Sequence, residues 1–229
     1  MRRRVEWCFL GSVPYDDGVR LQEGVRLAVK DGEGPERLLL LEHPPVFTLG
    51  RNAGDGEVTA DAEWLAERGI AVRETDRGGQ ATYHGPGQLM GYPIIDLRRC
   101  GQDLHKYLRW LEQLLIDLLA DYDIAGQRRE SLTGVWVENR KIASIGVGVR
   151  HWVTMHGFAL NVCGDLSPFD HIVPCGIKNV AITSMEKETK KSFTVAEVAR
   201  AVEKLARRRI SDLRIDSTVS AVDAPCFRA

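Results

Sequence analysis

Strand-like apolar segments and helical ones follow one another in this chain without the regular strand–helix–strand rhythm of a parallel sheet. VEWCFL, RLLLLEH, VFTLG, IAVRETD, QLMGYPIIDL and WVTMHGFALNV read as strands, with Pro44 and Pro45 separating the second from the third. GVWVENRKIASIGVGVR reads as a hairpin with Glu138 and Asn139 near its turn. PYDDGVRLQEGVRLAVK reads as a helix; Pro14 suits its first turn, while Gly18 and Gly24 weaken it. TADAEWLAERG is a short helix with Thr59 as expected cap and Gly69 as expected stop. The longest helix follows Asp103, and Leu104, Leu108, Leu111, Leu115, Leu118 and Leu119 recur along it at helical spacing, as a core stripe does. A late helix, FTVAEVARAVEKLARRR, follows Thr194; Arg207, Arg208 and Arg209 suit its solvated C-terminal end. These patterns predict a single α+β domain, a mixed and mostly antiparallel sheet with packed helices, over residues 1–213. Residues 214–229 carry no strong pattern and are expected to be a tail.

The chain has 229 residues, enough for one substantial core. Its 31 basic and 32 acidic residues nearly balance, which argues against a general nucleic-acid binder. No run reaches the ~18 apolar residues of a membrane span. MRRRVEWCFLGS has too short an apolar stretch for a signal peptide. Five widely spaced cysteines with no CxxC pair do not form a disulfide framework, so reduced thiols and a cytoplasmic location are expected.

RGGQATYHGPGQ, residues 77 to 88, concentrates glycine beside Arg77 and His84. Ordering glycine costs conformational entropy, so the cluster needs a reason. Turn geometry is one; close approach of backbone to a ligand is the other. The stretch is neither G-x-x-x-x-G-K-[ST] nor G-x-G-x-x-G, so no motif supports nucleotide binding. Elsewhere Cys175 stands between Pro174 and Gly176, a loop setting in which a thiol is either incidental or a candidate nucleophile. An unperturbed thiol, with a pKa of about 8.5, is only a few per cent thiolate at neutral pH and needs a cationic neighbour. Lys141, flanked by Ile142, Ala143 and Ile145, is a candidate for it, although a charge there more often faces solvent. Such a pair can share one proton, which suits acyl transfer. His43, His105 and His151 read as structural. His156, Cys163, His171 and Cys175 match no compact zinc-ligand spacing, and no metal site is expected.

RGGQATYHGPGQLMGYPIIDL closely resembles the signature of the lipoyl(octanoyl) transferases, within the biotin/lipoate protein ligase superfamily. RKIASIGVGVRHWVTMHGFALNV and FDHIVPCGI resemble that family's second and third motifs, in order, and the resemblance spans roughly residues 5 to 210. It implies one ligase-type domain that moves an octanoyl group from octanoyl-acyl carrier protein, without a cofactor. The implied acceptors are lysines of the lipoyl domains of 2-oxoacid dehydrogenase E2 subunits and of the glycine-cleavage H protein; nucleic acid and membrane are not partners. It places the acyl-thioester cysteine on Cys175 and the lysine that tunes it on Lys141. Substrate binding falls on Arg77, Gly78, Gly79, Gln80, Ala81, Thr82, Tyr83 and His84, on Ser144, Ile145 and Gly146, and on Gly157, Phe158 and Ala159. The rival readings are an ATP-dependent lipoate or biotin ligase, an amidotransferase that draws octanoyl from H protein, and a non-catalytic binding module.

Overall fold

The computed structural model describes residues 5–172 and 180–213, and the backbone of 225–227. In chain order it contains β1 (Val5–Ser12), α1 (Tyr15–Asp31), β2 (Glu36–Glu42), β3 (Val46–Leu49), α2 (Ala62–Glu67), β4 (Ala71–Glu74), β5 (Ala81–His84) and β6 (Gln88–Ile94). Then come α3 (Leu104–Ala120), β7 (Gln127–Arg129), β8 (Leu132–Val137), β9 (Arg140–Arg150), β10 (Val153–Asn161), β11 (Ala181–Ile182), α4 (Met185–Thr189), α5 (Val195–Leu213) and β12 (Pro225–Phe227). The large sheet runs β12-β1-β2-β6-β10-β9-β8-β7, with β11 beside β9; the small one runs β4-β3-β5. In the large sheet β1 pairs in parallel with β2 and β12, and β9 with β11; the other pairs are antiparallel. The fold is thus α+β, with a mixed sheet.

The four consecutive leucines of β2 explain how the large sheet is covered. Successive side chains point to opposite faces, so an unbroken apolar run needs cover on both. Leu38 and Leu40 join Trp7, Leu89 and Phe158 under α3 and α5. Leu39 and Leu41 join Met90 and Tyr92 under Val25 and Val29 of α1. Gly18 has a purpose here, because a Cβ on it would lie 2.9 Å from the ring of His43.

Several expectations need correction. Asp61, not Thr59, caps α2, accepting a 2.8 Å hydrogen bond from the Trp64 amide; Gly69, at φ +60°, does follow its end. Helix α5 runs on to Leu213, so the three arginines lie within it. Arg207 pairs with Glu203 at 2.8 Å and lies 5.2 Å from the Trp7 ring centroid, while Arg209 pairs with Asp117 of α3. The stripe on α3 is buried from Leu111 onward, but Leu104 is 36% exposed and Leu108 half-buried. Backbone at Pro225–Phe227 pairs with Trp7–Phe9, so part of the expected tail extends the sheet edge.

Strands β6 and β10 touch through glycine. A Cβ on Gly91 would fall within the Phe158 ring, and one on Gly157 against the Gly91 carbonyl. Gly91→Ala should therefore destabilise the protein by about 1–3 kcal/mol, as overpacking does, read as a lower urea midpoint. An unchanged midpoint would mean the ring has room to swing aside.

Candidate active site

The glycine-rich stretch is a strand rather than a single loop. Ala81–His84 pair with Val46–Leu49 of β3, and Arg77–Gln80 precede them as a turn laid over β9. The turn reading of its glycines holds, and close approach is seen between backbones. Gly79 (φ +89°) and Gly87 (φ +87°) supply turn geometry. Gly78 supplies close approach: its N–H donates to the Val147 carbonyl at 2.8 Å, and a Cβ on Gly146 would lie 2.9 Å from the Gly78 oxygen.

Between this stretch and the large sheet lies a mainly apolar slot, partly open to solvent. One wall is Arg77, Gly78, Gly79, Gln80, Ala81, Thr82 and His84; the other is Ser144, Ile145 and Gly146 of β9 with Gly157, Phe158 and Ala159 of β10. Lys141 lies on it too. Fourteen of the sixteen expected site residues therefore line one cavity. Tyr83 does not, because strand alternation turns it to the opposite face of β5, where it packs on Phe47 and Phe169. The other, Cys175, lies outside the described residues. Tyr15, Met90, Tyr92 and His156 complete the lining and were missed by sequence reasoning, since nothing in Tyr15's helical context or Met90's strand pattern distinguishes them.

Lys141 is the second residue of β9 and is 4% exposed. The bulge where β8 pairs with β9 and the missing side chain of Gly134 give it room: a Cβ there would lie 2.8 Å from Lys141 Cε. Its ammonium sits 5.5 Å from the centroid of Trp136. The Lys141 carbonyl accepts from the Thr183 amide at 3.0 Å, which fastens β11 beside it.

A directed hydrogen-bond network runs along the slot's polar wall. The Arg77 guanidinium donates to the Thr48 carbonyl (2.7 Å) and hydroxyl (2.8 Å). His84 donates from Nδ1 to Gln88 Oε1 at 2.7 Å, leaving Nε2 to accept from the Thr48 hydroxyl at 3.3 Å. Gln88 donates to Asn161 (2.8 Å), and Asn161 to the Thr183 carbonyl (3.0 Å). Burial, then the charges of His43 and Arg77, push the His84 pKa well below its usual value, so the ring is neutral at pH 7. Burial likewise lowers that of His43 and raises that of Tyr92. These two also bond each other at 2.7 Å.

His156 donates from Nε2 to Asp76 at 2.9 Å. That bond, aided by Arg150 and Arg51 against the effect of burial, lowers the Asp76 pKa to about 2. A carboxyl whose pKa falls on folding stabilises the protein above its unfolded pKa and loses that contribution as pH falls toward 2. Asp76→Asn should cost about 1 kcal/mol at neutral pH, allowing for solvent screening. Urea unfolding of both proteins should show the difference shrinking between about pH 4 and 2; a pH-independent difference would remove the ion pair as its cause. Of the other residues weighed for zinc, His171 lies 3.9 Å from the Trp64 ring. No group of three His, Cys, Asp or Glu among the described residues is placed to hold a metal ion.

An apolar slot with a buried lysine on this mixed sheet is the arrangement of a protein of the lipoate-ligase fold, as likeness to solved structures shows. A putative lipoate protein ligase from Thermoplasma acidophilum with bound lipoic acid superposes with a TM-score of 0.68 over 100% of this chain and 88% of its own, at 16% identity. A lipoate-protein ligase A bound with ATP gives 0.61 over 98% and 89%, at 15% identity; these likenesses establish the fold. The lipoyl protein ligase A/B catalytic domain model matches residues 14–206, and the chain belongs to that family. A relative from Geotalea uraniireducens named octanoyltransferase is 50% identical over 189 residues, 82% of this chain and 85% of its own. One of the same name from Solibacter usitatus is 52% identical over 176 residues, 77% of this chain and 80% of its own. No helix among the described residues is long and apolar enough to cross a membrane.

Proposed function

We propose that this chain is an acyltransferase that moves an octanoyl group from octanoyl-acyl carrier protein to a lysine of a lipoyl domain, through a thioester on Cys175. The supporting observation is the apolar slot, assembled from three separated sequence segments and carrying buried Lys141. The octanoyltransferase names of relatives at about half identity support the same reading. Residues 1–213 form the catalytic unit, and the acceptors are the lipoyl domains of E2 subunits and H protein, met in the cytoplasm.

The acyl chain lies in the slot against Phe158, Ala159 and Met90, between Arg77–His84 and Ser144–Gly146. Burying its roughly seven carbons at ~0.8 kcal/mol each yields about 5 kcal/mol of gross binding. The Cys175 thiolate attacks the donor's carbonyl carbon, the bond to the carrier sulfur breaks, and the Lys141 ammonium gives that sulfur its proton. A neutral acceptor amine then attacks the Cys175 thioester. Its proton passes to the Lys141 amine and the thiolate leaves, which restores the starting pair. Two thioesters of similar energy precede a more stable amide, so the sequence needs no ATP. Incubation with octanoyl-carrier protein and a lipoyl domain, without nucleotide, should give acylated acceptor. Transfer only after octanoate and ATP are added would replace this reading by a ligase.

A further inference from the structure

A second space meets the slot at Lys141. It is a groove somewhat more open than the slot, and it shares Gly78–Gln80, Lys141, Ile145 and Gly146 with it. Its far walls are Leu104 and Leu108 of α3 and Leu132 and Trp136 of β8. This is where the leucine stripe leaves the core: the first two leucines face the groove instead of the sheet.

A thioester has two arms that diverge from one carbonyl. With the acyl arm in the apolar slot and the carbonyl at Lys141, the thiol arm has the adjoining groove as its exit. Resting on the transferase reading above, we infer that the groove holds the donor's thiol arm: an uncharged, amide-bearing chain ending in a phosphodiester, as phosphopantetheine is. Lys141 is the sole ionisable side chain among the described residues that line it. Asn52, Gln80, Ser131 and Thr133 offer amide and hydroxyl partners along the rim. An amide chain with a terminal phosphate finds apolar walls, polar partners and a cation there. No carboxylate among the described lining residues is placed there to hold an acceptor ammonium before it loses its proton.

The test compares S-octanoyl-4′-phosphopantetheine with S-octanoyl-N-acetylcysteamine, which lacks most of the arm, at a fixed acceptor concentration. The wild type should favour the full arm by about tenfold or more in kcat/KM. Leu104→Glu faces the phosphate with a carboxylate, yet sits in the first turn of α3, where an acid suits the helix. It should remove that preference while changing the truncated donor's rate by less than about twofold. Leu108→Trp, which fills the groove, should do the same, with thermal melting used to confirm folding. Equal losses with both donors would overturn the assignment, as would a raised acceptor KM with donor kinetics unchanged, which would give the groove to the acceptor lysine. A wild type that also fails to transfer from octanoyl-carrier protein would instead overturn the transferase reading, whereas one active with that donor but showing no preference between the two small thioesters would overturn the groove alone.

Discussion

Cys175→Ser is expected to abolish the octanoyl adduct seen as a mass gain on intact protein mixed with octanoyl-carrier protein, and to slow transfer by on the order of 10³-fold or more. The reason is electronic. A thiolate is available near neutral pH when a cation stands by, whereas a serine hydroxyl stays protonated beside the same cation. The slot, contributed by other strands, should keep its affinity for octanoate, so the loss should fall on kcat rather than on acyl binding. Acylation of the variant at the wild-type level would assign the nucleophile elsewhere.

Lys141→Ala should slow transfer by about 10²–10⁴-fold, the usual contribution of a positioned acid and base. It should also move the acid limb of the pH–rate profile upward. The sign follows from charge: removing a cation disfavours the thiolate, so a higher pH is needed to form it. Without that neighbour, a thiol with a pKa of about 8.5 is roughly 3% ionised at pH 7. Lys141→Arg should not rescue, because a guanidinium holds its proton throughout and cannot accept one from the acceptor amine. A profile that keeps its acid limb would remove Lys141 from the proton path.

The residues that the sequence made legible are those whose chemistry is local. Asp103 before a leucine repeat announces α3 and does cap it, through the Lys106 amide at 2.9 Å. Arg77–His84, Ser144–Gly146 and Gly157–Ala159 were recognisable as motifs and do converge. Hidden were features that depend on three-dimensional neighbours. Tyr15 reaches the slot only because α1 crosses the sheet above β10. Tyr83 leaves it because β5 alternates, which a reading of residues 77–88 as one loop could not anticipate. Leu104 looks identical to Leu111 in periodicity, yet it is partly exposed and lines the groove. Strand β11, two residues long, has too little pattern to be seen at all.

Its placement nonetheless has a chemical consequence. Ile172 is bridged to Val58 on one side, and Ala181 is paired with Arg140 on the other, next to Lys141 itself. The short run of chain from position 175 to position 181 can extend no more than roughly 20 Å. Confinement to a sphere of that radius is equivalent to an effective molarity of tens of millimolar for the sulfur about the amine, before any orienting contact is made. Proximity of the proposed nucleophile and its proposed proton partner thus follows from the covalent tether, and lengthening that tether should dilute one with respect to the other.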